Sequence, residues 1–285
     1  MPHMPPSEPI RAKLFTGLMT ESDAFGVNVK GAGGGARIVV EGDVDIATVP
    51  RLQGALDRAL ASRPGRVLID LSAVEFVDSS GLRFLLHTNQ LAQRSGWSLA
   101  VARPGKSAMK AFELTGADTW LPFESSGSEP EAARRSREEH EVMAEAERIL
   151  QLHIRGAIDA PRTARLATRE LVSDHPLAAA HLDSLTLLVS EVVTNAVTHP
   201  QLPDDSDVEF SVTVTPELTR VLVSDAGPGF EWPAESLPQG RLDGGYGILL
   251  LDGQSSRWGV QRVPGRFTVW FELDHATDRA ASAVM

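Results

Sequence analysis

The sequence predicts an α/β domain followed by an α+β two-layer sandwich, within a chain of 285 residues. Three observations carry that prediction. In the first half, short β-branched runs alternate with stretches of helical period, an order that calls for at least partly parallel strand pairing. In the second half, helices come first and alternating strands later, which favours helices on one face of an antiparallel sheet. Between them, Glu129 to Arg148 mixes acids and bases with few apolar positions, and a chain of this length favours about two domains.

The elements of the first half follow in order. From Val27 an alternating segment runs into Gly33-Gly34-Gly35 and then ARIVVEG, a hairpin whose turn uses glycine to reach positive φ. A helix is expected from Ala47 to Ala61, closed by Arg63-Pro64-Gly65. RVLIDL (Arg66 to Leu71) is short, continuous and β-branched, the pattern of a buried strand. Leu82, Leu85, Leu86 and Leu91 recur at helical spacing. Trp97 to Val101 is again strand-like, a helix is expected near Ser107 to Leu114, and the domain ends near Phe123.

The joint offers i,i+4 charge pairs and reads as a helix, with Val142, Ile149 and Leu150 as a thin apolar edge. Beyond it come a strand-like LHIRGAI, a helix around Thr163 to Leu171 and a longer helix from about Leu177 to His199. Two alternating strands follow. Val208, Phe210, Val212 and Val214 share a face in the first, and RVLVSD forms the second. In the closing RFTVWFEL, Phe267, Val269, Phe271 and Leu273 share a face. The expected organisation is a flexible start over 1–23, a first domain over 24–124, a charged helical linker over 125–149, a second domain over 150–275 and a flexible tail over 276–285.

Composition narrows the partners. Hydrophobic residues make up 42% and charged residues 23%, ordinary for a globular protein. A formal net charge of -11 argues against a sequence-independent nucleic-acid binder, which needs clustered Lys and Arg to neutralise phosphates. Without cysteine, disulfides and thiolate metal sites are impossible. The N-terminus lacks the unbroken apolar core of a signal peptide, and no window approaches the ~18 apolar residues of a membrane span. The expectation is a cytoplasmic protein with no membrane contact and protein or nucleotide partners.

Three stretches suggest nucleotide chemistry. In SEVVTNAVTH, Glu191, Asn195 and His199 stand at successive i,i+4 positions and line one polar stripe of the long helix. The plain alternative is the solvent-facing side of an amphipathic helix. SDAGPGF (Ser224 to Phe230) puts an acid and two glycines directly after an apolar strand. Glycines let the backbone approach a ligand, and the acid can accept a hydrogen bond from an exocyclic amine, although AGPGF alone could be a simple turn. DGGYGILLL (Asp243 to Leu251) is a glycine-rich loop entering an apolar helix, a way of presenting N–H groups to phosphates.

The ordered trio E-x3-N-x3-H, D-x-G-x-G and G-x-G resembles the N, G1 and G2 boxes of the Bergerat-type ATP-binding fold, a superfamily that includes gyrase, histidine kinases and the anti-sigma-factor serine kinases. The short lid between Gly229 and Gly245 and the ending RWGVQRVPGRFTVWFEL resemble the last group most, over roughly Leu150 to His275. That resemblance implies ATP and Mg2+ as cofactors. It implies Asn195 on Mg2+, Asp225 on the adenine amino group, Gly227 and Gly229 shaping the base pocket, and Gly245 and Gly247 holding phosphates. It also places His199 toward the phosphates, Thr268 near the adenine, and Glu191 as general base on an incoming serine hydroxyl. Two departures from the pattern are Pro200 directly after His199, and Arg266-Phe267 where small or basic residues are usual. No His-Glu-x-x-Asn-Pro segment precedes the trio, which disfavours a histidine kinase.

In the first half, FVDSSGLRF (Phe76 to Phe84) sets an acid and two serines at a helix start, where Asp or Ser would serve as an N-cap. The wider stretch, EGDVDIATVPRL with RVLIDLSAVEFVDSSGLRFLL, resembles the STAS domain of anti-sigma-factor antagonists over about Ala24 to Phe123. In that family the serine after the acid accepts phosphate, here Ser79, which leaves Ser80 as a neighbour or cap and places Asp43 and Asp45 in a loop near the partner surface. Together the resemblances imply an N-terminal STAS-like α/β domain followed by a Bergerat-fold two-layer α/β sandwich ATPase domain. They imply a serine kinase in partner-switching control of sigma-factor-dependent transcription, whose partners are a sigma factor, STAS antagonists or anti-sigma kinases. Kinases of this type often dimerise, so a homodimer is also implied. Two alternatives remain at this point: a non-catalytic ATP-binding scaffold, and a STAS substrate phosphorylated on Ser79 by another kinase.

Overall fold

A computed structural model describes residues 25–32, 34–124, 147–173, 175, 181–198, 207–229 and 246–275. The chain divides into two compact units, each with its own five-stranded sheet. The expected linker helix over 125–149 lies outside the described residues except at its end. There, Arg148 to Leu150 already belong to a strand, and Leu150 is buried, so Ile149 and Leu150 are sheet residues and not the edge of a linker helix.

In the first unit the strands run β1 (Gly26–Ala32), β2 (Gly35–Val44), β3 (Arg66–Val77), β4 (Ser98–Ala102) and β5 (Phe123–Glu124), in that spatial order. β1 and β2 form the antiparallel hairpin, with Gly34 at φ +88° in its turn, and every other pairing is parallel. Parallel neighbours need crossovers, supplied by α1 (Val49–Ala61), α2 (Ser79–Ser95) and α3 (Lys106–Thr115). β3 extends six residues past the expected Leu71, because VLIDL continues into AVEFV, which buries Val74, Phe76 and Val77. That extension brings Asp78 to the sheet's C-terminal edge.

α2 buries Leu82, Phe84, Leu85 and Leu86, but Leu91 is 38% exposed. Five residues past Leu86 is about 140° around the helix, off the apolar stripe. Ala92, seven residues past Leu85, takes the buried position instead.

The second unit orders its sheet β6 (Arg148–Arg155), β7 (Asp207–Val214), β8 (Leu218–Asp225), β10 (Arg266–Asp274), β9 (Arg257–Val263), all antiparallel. α4 (Ala160–Val172) and α5 (Leu182–Thr198) pack together and against this sheet. The predicted inward faces hold: Val208, Phe210, Val212 and Val214 are buried on β7, and Phe267, Val269, Phe271 and Leu273 on β10. α6 (Tyr246–Gln254) falls between β8 and β9 in the chain, and its last residue accepts a hydrogen bond at Gln254 Oε1 from Ser184 Oγ of α5, at 3.1 Å.

The two units are expected to respond to acid in different pH windows. Three histidines gather in the second: the His181 ring stacks on His275 at 5.7 Å, and His175 lies 6.0 Å from it. Burial lowers the His175 pKa, with the Arg148 charge adding to it. Burial likewise lowers that of His275, with His181 and His175 pushing the same way against the Pro216 backbone and Asp274. A base whose folded pKa is depressed binds fewer protons when folded, so it withdraws stability as pH falls below its unfolded value of about 6.5. In the first unit, burial raises the pKa of Asp70, but hydrogen bonds from Arg37 and Ser72 outweigh it and hold the carboxyl below its ordinary value. Its contribution persists down to about pH 3.9 and is lost only as pH falls through its depressed folded value. Peptide-resolved hydrogen exchange is therefore expected to show protection of β6–β10 weakening between about pH 6.5 and 5, with β1–β5 still protected. Simultaneous loss in both sheets only below about pH 4 contradicts this assignment.

Candidate nucleotide site and phosphoacceptor

The end of β8, the middle of α5 and the start of β10 line a small, shallow hollow open to solvent. Its lining is Val192, Asn195 and Ala196 from α5, Val223 and Asp225 from β8, Gly229 after it, and Phe267 and Val269 from β10. Sheet register explains why these meet. Asp225 is paired with Phe267 and Val223 with Val269 across the β8–β10 ladder, so the acid stands beside an aromatic ring. At the turn, Asp225 Oδ1 accepts from the Gly227 N–H at 2.6 Å, which fixes the carboxylate at the strand's end.

Gly229 is required here for two separate reasons. Its φ of +69° is a left-handed conformation that side chains rarely adopt. A Cβ would also fall 2.2 Å from Cδ2 of Phe267, so the ring occupies the space a side chain would need. Phe267 is 3% exposed, and the Arg262 guanidinium lies over its ring at 5.4 Å from the centroid. Of the two departures from the kinase pattern, Phe267 thus shapes the hollow, whereas Arg266 pairs with Glu209 of β7, its Nη2 donating to Oε1 at 2.5 Å.

The polar stripe of the long helix is buried at Glu191 and exposed at Asn195. Every residue from Ser184 to Thr194 is buried, and Glu191 is 2% exposed, while Asn195, one turn later, is exposed at the hollow. His199, Pro200 and Gly245 lie outside the described residues, and Gly247 is buried in the first turn of α6. Thr268 is buried, and its hydroxyl pairs with that of Ser224 at 2.7 Å. Phe267, singled out in the sequence as a departure from the family pattern, lines the hollow, while its place beside Asp225 becomes legible only once the two strands are in register.

These residues fit an adenine nucleotide. Apolar walls and one ring suit a base, an acid at the rim suits an exocyclic amine, and an exposed amide oxygen can ligate Mg2+. Among the described residues no three His, Cys, Asp or Glu side chains are grouped to cage a metal.

The serine pair of the first unit is also resolved. Asp78 is the N-cap of α2: its backbone is extended, and its carboxylate accepts from the N–H groups of Ser80 at 2.8 Å and Gly81 at 3.2 Å. Ser80 is therefore capped and does not cap. Ser79 is the first helical residue and 5% exposed. Gly81 leaves no room for a side chain, since a Cβ would lie 2.8 Å from Val44 Cγ1 and 2.9 Å from Val77 Cγ1. This close approach seats the helix start between the ends of β2 and β3. Of the two acids expected in a loop, only Asp45 stands in one. Asp43 lies within β2, and Asp45 is buried, its Oδ1 accepting at 3.1 Å from the N–H groups of Ala47 and Thr48 to form the turn into α1.

Comparison with known proteins agrees with both units. A family model described as Mlab, STAS domain matches residues 27–122, and one described as histidine kinase-like ATPase domain matches residues 155–273. The anti-sigma-F factor antagonist RsfB of Mycobacterium tuberculosis is 34% identical over 100 residues, covering 35% of this chain and 81% of that protein. The crystal structure of an anti-sigma factor antagonist from Mycobacterium paratuberculosis is 30% identical over 37% of this chain and 89% of its own, with a TM-score of 0.34. The crystal structure of the RsbU and RsbW domains of a Mycobacterium tuberculosis protein is 19% identical over 44% of this chain and 32% of its own, with a TM-score of 0.35. The histidine kinase-like ATPase match implies ATP as the ligand of the second unit. No helix among the described residues is long and apolar enough to cross a membrane. The chain belongs to the STAS-domain anti-sigma-factor antagonists, with a histidine kinase-like ATPase domain of the Bergerat fold joined behind the STAS domain.

Proposed function

We propose that this chain is a Mg-ATP-dependent protein-serine kinase joined to an antagonist-like STAS domain, acting in partner-switching control of sigma-factor-dependent transcription. The observation that carries this reading is the buried acid Glu191, one helical turn before Asn195, which lines the hollow beside Asp225 and Gly229. Nucleotide binding alone does not require a base, whereas phosphoryl transfer needs one near the nucleophile. In this reading Asp225 holds the base, Gly227, Gly229 and Thr268 shape its pocket, and Asn195 holds Mg2+, with His199, Gly245 and Gly247 toward the phosphates. The metal supplies charge neutralisation on the phosphate oxygens. Glu191 takes the proton of a serine hydroxyl while the serine oxygen bonds to the γ-phosphorus and the bridging bond to ADP breaks.

Ser79 is the proposed acceptor. It stands at a helix N-terminus, where the added negative charge is tolerated, so the effect falls on docking and not on the fold. Its burial means that the first turn of α2 must open to receive phosphate, whichever kinase acts. The similarity of the first unit to RsfB, an antagonist matched over 81% of its length, favours a second reading in which Ser79 is modified by a separate kinase.

Intact-mass measurement on pure protein with Mg-ATP separates these. One added phosphate that is absent from Ser79→Ala supports the kinase reading, and a concentration-independent rate constant assigns transfer within one chain. No added phosphate, even with STAS-domain proteins of the same cell present, overturns it.

A further inference from the structure

Phe267 stands directly across the β8–β10 ladder from Asp225, and residues so opposed bring their Cβ atoms within about 5.5 Å of each other. Its ring is held from two sides. Cγ, Cδ2 and Cε2 pack on the backbone of Gly229, where a Cβ would fall 2.2 to 2.5 Å from them, and the Arg262 guanidinium covers the ring at 5.4 Å from its centroid. With 3% of its surface exposed, the ring takes up the space on the β10 side of the acid. The hydroxyl of Thr268, next along β10, is bonded to that of Ser224 at 2.7 Å. Among the described residues that line the hollow, only Asp225 and Asn195 carry polar side chains, and Asn195 comes from α5. A base in the hollow therefore meets, at the end of β8, a carboxylate whose β10 neighbour is hydrocarbon.

We propose that Phe267 is a specificity residue of the nucleotide site: its ring keeps water from the β10 side of Asp225, so that the hollow selects purines with an amine at the six-position over those with a carbonyl there. The inference rests on the reading of the hollow as an ATP site with Asp225 as its base contact. The amine of adenine donates to the carboxylate directly. The carbonyl of hypoxanthine or guanine turns an acceptor toward an acceptor, and the two tolerate each other when a water donates to both. A phenyl ring in the place of that water offers no donor. A site built to hydrogen-bond one group rejects an analogue that lacks it far more steeply than an apolar pocket does, because the site's own polar group then goes unpaired.

The test is competition by ATP and by inosine triphosphate, each with Mg2+, against a fluorescent ATP analogue on the full chain. Inosine triphosphate carries the carbonyl without guanine's additional amine. Wild type is expected to bind ATP about 100-fold more tightly than inosine triphosphate, or better. Phe267→Thr and Phe267→Gln, which place a donor or a water beside the acid, are expected to narrow that ratio by about 10-fold or more. Phe267→Leu, which stays apolar, is expected to keep it within about threefold, even where both affinities fall. The ratio is internal to each variant, so a general loosening of the hollow does not imitate the result, and either polar variant suffices if the other does not fold. A ratio unchanged by Thr and Gln, or narrowed as much by Leu, overturns the proposal. So does a wild type that binds both nucleotides alike, while its ATP affinity still upholds the nucleotide site. If wild type binds neither nucleotide, the ATP reading itself fails and the proposal with it.

Discussion

Replacing Glu191 by Gln is expected to lower phosphate transfer by about 10²- to 10⁴-fold while leaving ATP affinity within a few-fold of wild type. The substitution keeps the side chain's size and removes only its capacity to hold the serine proton. Glu191 is buried in the middle of α5 and does not line the hollow, so nucleotide contacts through Asn195, Asp225 and Gly229 are retained. A kcat loss without a KM change is the signature of an interaction used only in the transition state. Transfer persisting at the wild-type rate in Glu191→Gln contradicts the assignment of a base, and transfer persisting in Glu191→Ala as well points to a contaminating kinase. ATP affinity is read independently by titration with a fluorescent nucleotide analogue.

Patterns that depend on one element at a time were legible in the sequence. The alternation in VEFSVTV and RFTVWFEL located β7 and β10 with their buried faces, because a strand's period reports which side meets the core. The hairpin, the crossover helices and the motif-bearing helix of the second unit followed from the same reasoning. Features set by the relation between distant elements were not legible. Phe267 reads as one apolar position in a strand, and its place beside Asp225 follows only from a register across some 40 residues of chain. Nothing in the sequence singles out Arg165, since arginine is rarely fully buried, and only the packing of α4 on α5 shows it buried. The burial of Asp45 was hidden for a related reason, because only the structure shows its carboxylate holding the Ala47 and Thr48 N–H groups. At FVDSSGLRF the residue types suggested a cap without saying which residue caps. The extended backbone of Asp78 and its bonds to Ser80 and Gly81 decide it, and they separate the two serines that composition makes equivalent.

Gly229→Ala is expected to weaken nucleotide binding by about 10-fold or more, a loss near 1.4 kcal/mol, and to destabilise the second unit by about 1–3 kcal/mol. Two costs combine. An alanine at φ +69° carries left-handed strain of about 1–2 kcal/mol. Its Cβ also falls 2.2 to 2.5 Å from Cδ2, Cε2 and Cγ of Phe267, far inside van der Waals contact. The ring has little freedom to yield, being buried in β10 with Arg262 over it. Either the ring turns into the hollow and takes up its space, or the turn from Asp225 to Gly229 shifts and the 2.6 Å bond from the Gly227 N–H to Asp225 is lost. Both outcomes remove part of the surface that receives the base. Phe267→Ala separates the two costs, because it abolishes the collision and leaves the backbone strain in place. The stability loss of the double variant Gly229→Ala/Phe267→Ala is therefore expected to be smaller than the sum of the single losses, by at least about 0.5 kcal/mol in denaturant unfolding. Strict additivity shows that strain alone accounts for the glycine. An unchanged ATP affinity in Gly229→Ala removes the hollow from the nucleotide site altogether.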